Sequence, residues 1–220
     1  APTTTAEKAL LAEGVAPETI SITGNTVIDA LQWTVAKKHP LTLNIPLDRR
    51  GERLILVTAH RRESFGTAFE SMCRALRQIA EENPDVRLVY PVHLNPNVQE
   101  PVRRILGGLD RVHLIEPLAY PDFAHLMNRS TFLITDSGGL QEEAPALGKP
   151  VLVMRRTTER PEAVEAGTAR LVGTEQEAIV SAANELLHNP EAYRAMATAI
   201  SPFGDGHASD RIATILLNSL

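Results

Sequence analysis

Apolar and polar positions along this chain alternate between two rhythms. Short apolar runs stand at Arg53–Thr58, Val86–Pro91, Val112–Ile115, Phe132–Thr135, Val151–Met154 and Ala169–Val172. Their length and β-branched content are those of strands buried on both faces. Between them, at Thr67–Glu81, in a segment reaching about Leu106, and at Pro121–Asn128, Leu140–Gly148 and Arg160–Ala166, the pattern predicts helices. Further helices are expected at about Thr174–His188, Pro190–Ala199 and Gly206–Leu220, with a break at Ser201–Gly204. Ahead of the alternation the chain reads as a linker at Ala1–Thr5, a short helix at Ala6–Glu13 and a strand at Thr19–Ile22. A helix at Thr26–His39 and a polar connection at Pro40–Gly51 follow. From Glu52 onward, strand and helix in turn predict an α/β fold: a Rossmann-like doubly wound parallel sheet with helices on both faces.

Composition narrows this picture. A chain of 220 residues, 43% of them apolar, is long enough for one large domain with a real core. The net charge of -5 argues against a general nucleic-acid partner. Cys73 is the only cysteine, so no internal disulfide is expected, and its place in an apolar helical pattern suggests a buried thiol. No apolar run approaches the roughly 20 residues of a membrane span, and no basic-then-apolar leader is present. The expectation is a cytoplasmic protein with no membrane partner. The chain opens at Ala1 without an initiator methionine, which hints that an N-terminal part is missing.

Doubly wound sheets bind ligands beyond the carboxyl ends of their strands, and the polar loops of this chain stand at those ends. The stretch from Phe132 to Met154 is the most informative, reading as strand, turn, short helix, turn and strand. Gly138 and Gly139 lack a Cβ, so the turn can bend sharply and a ligand can approach closely. The helix beginning at Leu140 offers unpaired N–H groups, for which phosphate is the natural ligand, and Gly148 suits a left-handed cap at its end. Ser137 can add a hydroxyl donor. Glu143, about one turn beyond Gly139, can accept from sugar hydroxyls. Together these suggest a nucleotide or nucleotide-sugar site, although a Ser-Gly-Gly turn before a helix also occurs in α/β proteins that bind nothing.

Other loops add candidates. In His60-Arg61-Arg62-Glu63, the histidine and an arginine are expected to face the crevice. For His93, ligand contact and loop support remain equally open. His113 and His125 read as structural. Arg160 can bind a diphosphate bidentately, whereas Arg155, Arg156, Glu159 and Glu162 read mostly as a solvated face. Glu142 and Glu143 point about 100° apart on a helix and do not form a facing acid/base pair. No metal-ligand spacing and no nucleophile elbow appear, so no metal is expected.

Taken together, His60–Gly66, Pro91–Asn97, Thr135–Pro145 and Thr157–Glu162 closely resemble the non-hydrolysing UDP-N-acetylglucosamine 2-epimerases. Thr23–Ala30 and Pro202–Gly206 match as well, in the same order. The resemblance implies the C-terminal lobe of a glycosyltransferase-B type fold. Residues 1–51 would be the inter-lobe linker and connecting helices, 52–200 the UDP-binding domain, and 201–220 a helix crossing back to a missing N-terminal lobe. It implies interconversion of UDP-GlcNAc and UDP-ManNAc by elimination of UDP, through a 2-acetamidoglucal, and re-addition with C2 inverted. No cofactor is implied, and the intact protein would be a homodimer. By resemblance, His60 is a catalytic group at the pyrophosphate, where it could stabilise leaving UDP. Ser137, Gly138 and Gly139 hold the diphosphate, Glu143 the ribose, Arg160 the UDP site, and Leu118 and Phe123 the uracil edge. Arg61, Glu63 and His93 match positions holding a second, activating UDP-GlcNAc. Ser64 stands where an asparagine is usual, and Arg156 where an aspartate is usual. The carboxylates for C2 proton transfer belong to the missing lobe. A glycosyltransferase lobe of the same fold and a non-catalytic nucleotide-sugar-binding module are the alternatives.

Overall fold

The computed structural model describes residues 1–41, 43, 45 and 51–218. Its centre is one parallel sheet formed by β1 (Arg53–Thr58), β2 (Val86–Pro91), β3 (Val112–Ile115), β4 (Phe132–Thr135), β5 (Val151–Val153) and β6 (Ala169–Leu171). The spatial order is β3-β2-β1-β4-β5-β6, so the chain winds outward from β1 in one direction and from β4 in the other. Ile55 lies opposite Phe132 and Thr58 opposite Thr135 in the register of that central pair.

Strand periodicity sorts the apolar runs into two cores. Ile55, Val57, Phe132 and Ile134 point to one face with Phe69, Leu76, Ile79, Val102 and Ile179. These come from α3 (Thr67–Glu82), α4 (Pro96–Leu106) and α8 (Gln176–His188), with α9 (Pro190–Ala197) packed against α8. Leu54, Leu56, Leu133, Val151 and Val153 point to the other face, with Ile28, Leu31, Met127, Leu140 and Ala163. Those side chains belong to α2 (Thr26–Ala36), α5 (Tyr120–Arg129), α6 (Leu140–Ala146) and α7 (Pro161–Glu165). Local chemistry starts these helices. Asn25, Asn95 and Asn189 each accept a backbone N–H as N-caps, and Pro96 and Pro190 follow the last two at positions where an N–H would be unpaired anyway. Cys73 lies buried in the α3 core, and burial pushes its thiol up to about 12.

The start of the chain differs from expectation. Helix α1 runs Thr4–Ala12, and the stretch read as a linker is packed. Thr3 is buried, caps α1 through Ala6 N–H and donates to Glu162 at 2.8 Å. Thr19–Ile22 is not a strand: Pro17–Thr19 forms a single 3₁₀ turn, and Ile20 to Asn25 continue without regular structure. Pro17 favours such a turn at its first position, and this stretch pairs with no strand of the sheet. Most of the expected connection at Pro40–Gly51 lies outside the described residues, as do the last two residues of the helix expected at Gly206–Leu220. That helix, α10, runs Ala208–Asn218, and Asp29 of α2 accepts the N–H groups of Ala208 and Ser209 at its start. No helix among the described residues is long and apolar enough to cross a membrane.

Candidate functional site

Winding reverses between β1 and β4, and the crevice of a doubly wound sheet opens at such a point. The two loops there are locked together by a carboxylate. Asp136, directly after β4 and fully buried, accepts the backbone N–H groups of His60 and Arg61 through Oδ2, both at 2.7 Å. The hydroxyls of Thr58 and Thr135 meet at 2.6 Å, and Ser137 N–H donates to Thr135 Oγ1 at 2.9 Å. Tyr90 of β2 donates from its hydroxyl to Ala59 O at 2.6 Å. His60 therefore stands at the mouth of the crevice, its side chain 42% exposed. Its ring stacks on His93 from the loop after β2, with centroids 5.4 Å apart and planes 15° apart. His93 Nδ1 accepts the N–H of Asn95 at 3.1 Å, which ties one ring nitrogen to the loop.

The turn after β4 is more ordinary than expected. Gly139 has φ -62 and ψ -36, and neither Gly138 nor Gly139 has a positive φ. Alanine could take this backbone, so these glycines are not required by the bend. What their missing side chains leave is room: a Cβ on Gly139 would have only Glu143 Oε1 nearby, at 3.9 Å, and one on Gly138 would lie 3.5 Å from Arg61 Nη2. Where α6 ends, the expected left-handed glycine is present. Gly148 has φ +66, and the N–H groups of Gly148 and Lys149 return to Pro145 O and Ala144 O.

The adjacent acids of α6 take different roles. Glu142 is buried, and its two oxygens accept from Arg160 Nε and Asn25 Nδ2. Arg160 is thereby clamped beside the turn with its side chain still 36% exposed. Glu143 is half-buried and accepts from the Tyr120 hydroxyl at 2.7 Å. Burial holds its carboxyl above the usual range, with the donation from Tyr120 opposing. Leu118 and Phe123 lie half-buried against the core on either side of Tyr120 in sequence. Gln141, fully buried, donates to Ser137 O and accepts from Thr158, which in turn accepts Arg160 N–H.

After β5 the expectation of a solvated face fails for Arg155. Its side chain is 9% exposed, forks onto Glu159 at 2.6 and 2.8 Å, and lies 3.5 Å from Glu63. Arg61 reaches both acids at 3.5 Å. The bonds from Arg155 hold the Glu159 carboxyl down at about 2. Arg156 does face solvent, paired with Glu175 at 3.2 Å. Ser64, by contrast, is buried. A hollow of about 340 Å³ lies beside this network, lined by Glu63, Ser64, Arg155 and Thr157 among others. A second, of about 320 Å³, is bounded in part by Asn25, Glu142, Glu159 and Arg160.

The structure thus gathers His60, Arg61, His93, the 137–139 turn, Glu143 and Arg160 along the carboxyl ends of the central strands. The sequence reading passes over Asp136 as one member of a turn, and over Arg155, Tyr120 and Asn25. Asp136 carries a signal in sequence: a charge directly after a short, mainly apolar strand. Among the described residues, no group of three or more His, Cys, Asp or Glu side chains has the arrangement of a metal site.

Comparison with known proteins bears on the family and the fold. The family model for UDP-N-acetylglucosamine 2-epimerase matches residues 1–217. The UDP-N-acetylglucosamine 2-epimerase of Escherichia coli K12 is 53% identical over 225 residues, covering 99% of this chain and 60% of its own length. The crystal structure of UDP-GlcNAc 2-epimerase from Neisseria meningitidis bound to UDP-GlcNAc superposes with a TM-score of 0.91 at 43% identity, over 99% of this chain and 60% of that one. The enzyme from Methanocaldococcus jannaschii, in complex with UDP-GlcNAc and UDP, gives 0.79 at 28% identity over 99% of this chain and 60% of that one. The chain therefore spans about three fifths of the length of these relatives.

Proposed function

The chain belongs to the UDP-N-acetylglucosamine 2-epimerase family, and on that premise we propose that it is the UDP-holding lobe of an enzyme that interconverts UDP-GlcNAc and UDP-ManNAc. The observation that carries this reading is the convergence of His60, the Ser137–Gly139 turn and the clamped Arg160 at the reversal of the sheet. The open backbone of the turn and the Ser137 hydroxyl hold the diphosphate, and Arg160 adds charge. Glu143 accepts from the ribose, and Leu118 with Phe123 borders the uracil. His60 donates to the pyrophosphate as UDP leaves, offsetting the negative charge that develops there. UDP then returns to the 2-acetamidoglucal with C2 inverted. Proton transfer at C2 falls to carboxylates of the preceding lobe, so this chain alone binds UDP and turns nothing over. Arg61, Glu63 and His93, at the outer rim, hold a second UDP-GlcNAc as activator.

In this reading residues 1–51 connect the lobes, 52–200 hold UDP and 201–220 cross back. The ties from Asn25 to Glu142 and from Asp29 to α10 support a rigid connection between those parts. The intact enzyme is cytoplasmic and homodimeric, the latter checked by sedimentation of the full-length protein.

Titration calorimetry with UDP, beside an assay for UDP-ManNAc on the same sample, tests the proposal. Binding without turnover is expected. Ser137→Ala and Arg160→Ala should each weaken UDP binding by about tenfold or more, the value of one charge-assisted contact. Unchanged affinity in both variants overturns the site. Turnover by this chain overturns the division of labour, and transfer to an acceptor without epimer marks a glycosyltransferase instead.

A further inference from the structure

Among the described residues, one carboxylate oxygen is buried without a hydrogen-bond partner. Asp136 is fully buried, its Oδ2 takes two backbone N–H groups, and its Oδ1 is buried without any partner. A buried carboxylate oxygen without a donor carries its desolvation penalty uncompensated, and native proteins keep such groups sparingly. One donor stands within reach. His60 Nδ1 lies 3.7 Å from that oxygen, a gap closed by a small turn of a ring that is only half covered. Contacts of this kind commonly tighten when a ligand arrives. The stack on His93 restrains the ring's tilt, and the Asn95 N–H on His93 Nδ1 fixes that neighbouring ring to its loop.

We propose that Asp136 is a positioning residue for His60, accepting the ring's Nδ1–H and so presenting Nε2–H to the diphosphate. The proposal rests on the reading of the crevice as the UDP site. An imidazole that donates from Nδ1 to a carboxylate and from Nε2 to a ligand carries a proton on both nitrogens. The same Asp136 oxygen that holds His60 N–H also holds Arg61 N–H, and Arg61 reaches over Gly138. One buried carboxylate therefore fixes the backbone from which two side chains of the β1 loop reach towards the turn after β4.

The test is long-range ¹H–¹⁵N NMR of the histidines in the full 220-residue chain, with and without UDP, joined to calorimetry. Protonated Nδ1 on His60 is expected, with its proton moving downfield when UDP binds. In Asp136→Asn the carboxamide oxygen keeps the two backbone N–H groups and its NH₂ turns to the ring. The neutral ring should switch to the Nε2–H tautomer, and UDP affinity should fall about fivefold as charge assistance is lost. A carboxylate that merely supported the loop would leave the tautomer unchanged. UDP binding with His60 in the Nε2–H tautomer in the wild type overturns the pairing and leaves the UDP reading intact. No UDP binding by the wild type overturns the UDP reading and the diphosphate-facing role with it, while the tautomer still decides the pair. Should Asp136→Asn fail to fold, the wild-type spectrum decides alone.

Discussion

Replacing Glu142 with glutamine separates two adjacent carboxylates that the sequence presents as equivalent. Glu142 is buried and serves two donors, Arg160 Nε and Asn25 Nδ2. Glutamine keeps one carbonyl oxygen, so one of the two donors loses its acceptor and faces an NH₂. An unpartnered donor at a buried position costs about 1–3 kcal/mol. Loss of charge assistance adds about 1 kcal/mol, reduced to about half because the Arg160 side chain is 36% exposed. The sum is about 1.5–3.5 kcal/mol, or roughly 3–14 °C in Tm for a chain of this size. Freed from its clamp, Arg160 should also hold UDP about tenfold more weakly, ~1.4 kcal/mol. Thermal and urea unfolding read the first effect and calorimetry the second. Glu143→Gln is the control. Its carbonyl can still accept from Tyr120, so stability should stay within about 0.5 kcal/mol of the wild type while ribose contact suffers. If the two variants melt together, the distinction drawn between these acids is wrong.

Gly139→Ala should leave Tm almost unchanged, within about 0.5 kcal/mol, because its φ is -62 and a Cβ meets nothing closer than 3.9 Å. UDP binding should nevertheless fall, and a variant that binds normally would remove the close-approach role given to this turn. Glu159 has its carboxyl lowered from 4.5 to about 2, chiefly by Arg155. A depressed carboxylate stabilises the fold above its unfolded value, and that contribution is lost as pH falls from 4.5 towards 2. Urea midpoints measured across that window should decline less steeply in Glu159→Gln than in the wild type; identical slopes would contradict the pairing. Cys73, raised to about 12 by burial, should react with an aromatic disulfide reagent only at the rate of unfolding. Rapid labelling of the native chain would show that α3 does not seal it.

Much of the fold was legible because the central strands of a doubly wound sheet are buried on both sides. Such strands read as apolar runs whatever their neighbours are, and all six appear in the structure within a residue of the expected bounds. The helix ends carried their own signals in Pro121 and Gly148. The Thr19–Ile22 stretch misled because a few β-branched residues look alike whether or not a strand edge is there to receive them. Arg155 misled for a related reason: a charged run after a strand is usually solvated, and the residue that buries this one, Glu159, is unremarkable as a sequence neighbour.

Sequence alone determined the kind of architecture, the family and the polar loops at the strand ends, since periodicity, turn residues and motif spacing are local properties of the chain. Tertiary structure decided the strand order, which brings the loops after β1 and β4 together although 75 residues or more separate them. It also decided what each polar group does there. Asp136 became a buried clasp with one oxygen unanswered, and Glu142 became the clamp of Arg160 while Glu143 stayed free to accept from a ligand. These roles depend on burial and on partners distant in sequence, and desolvation converts such placements into energy only once the chain has folded around them.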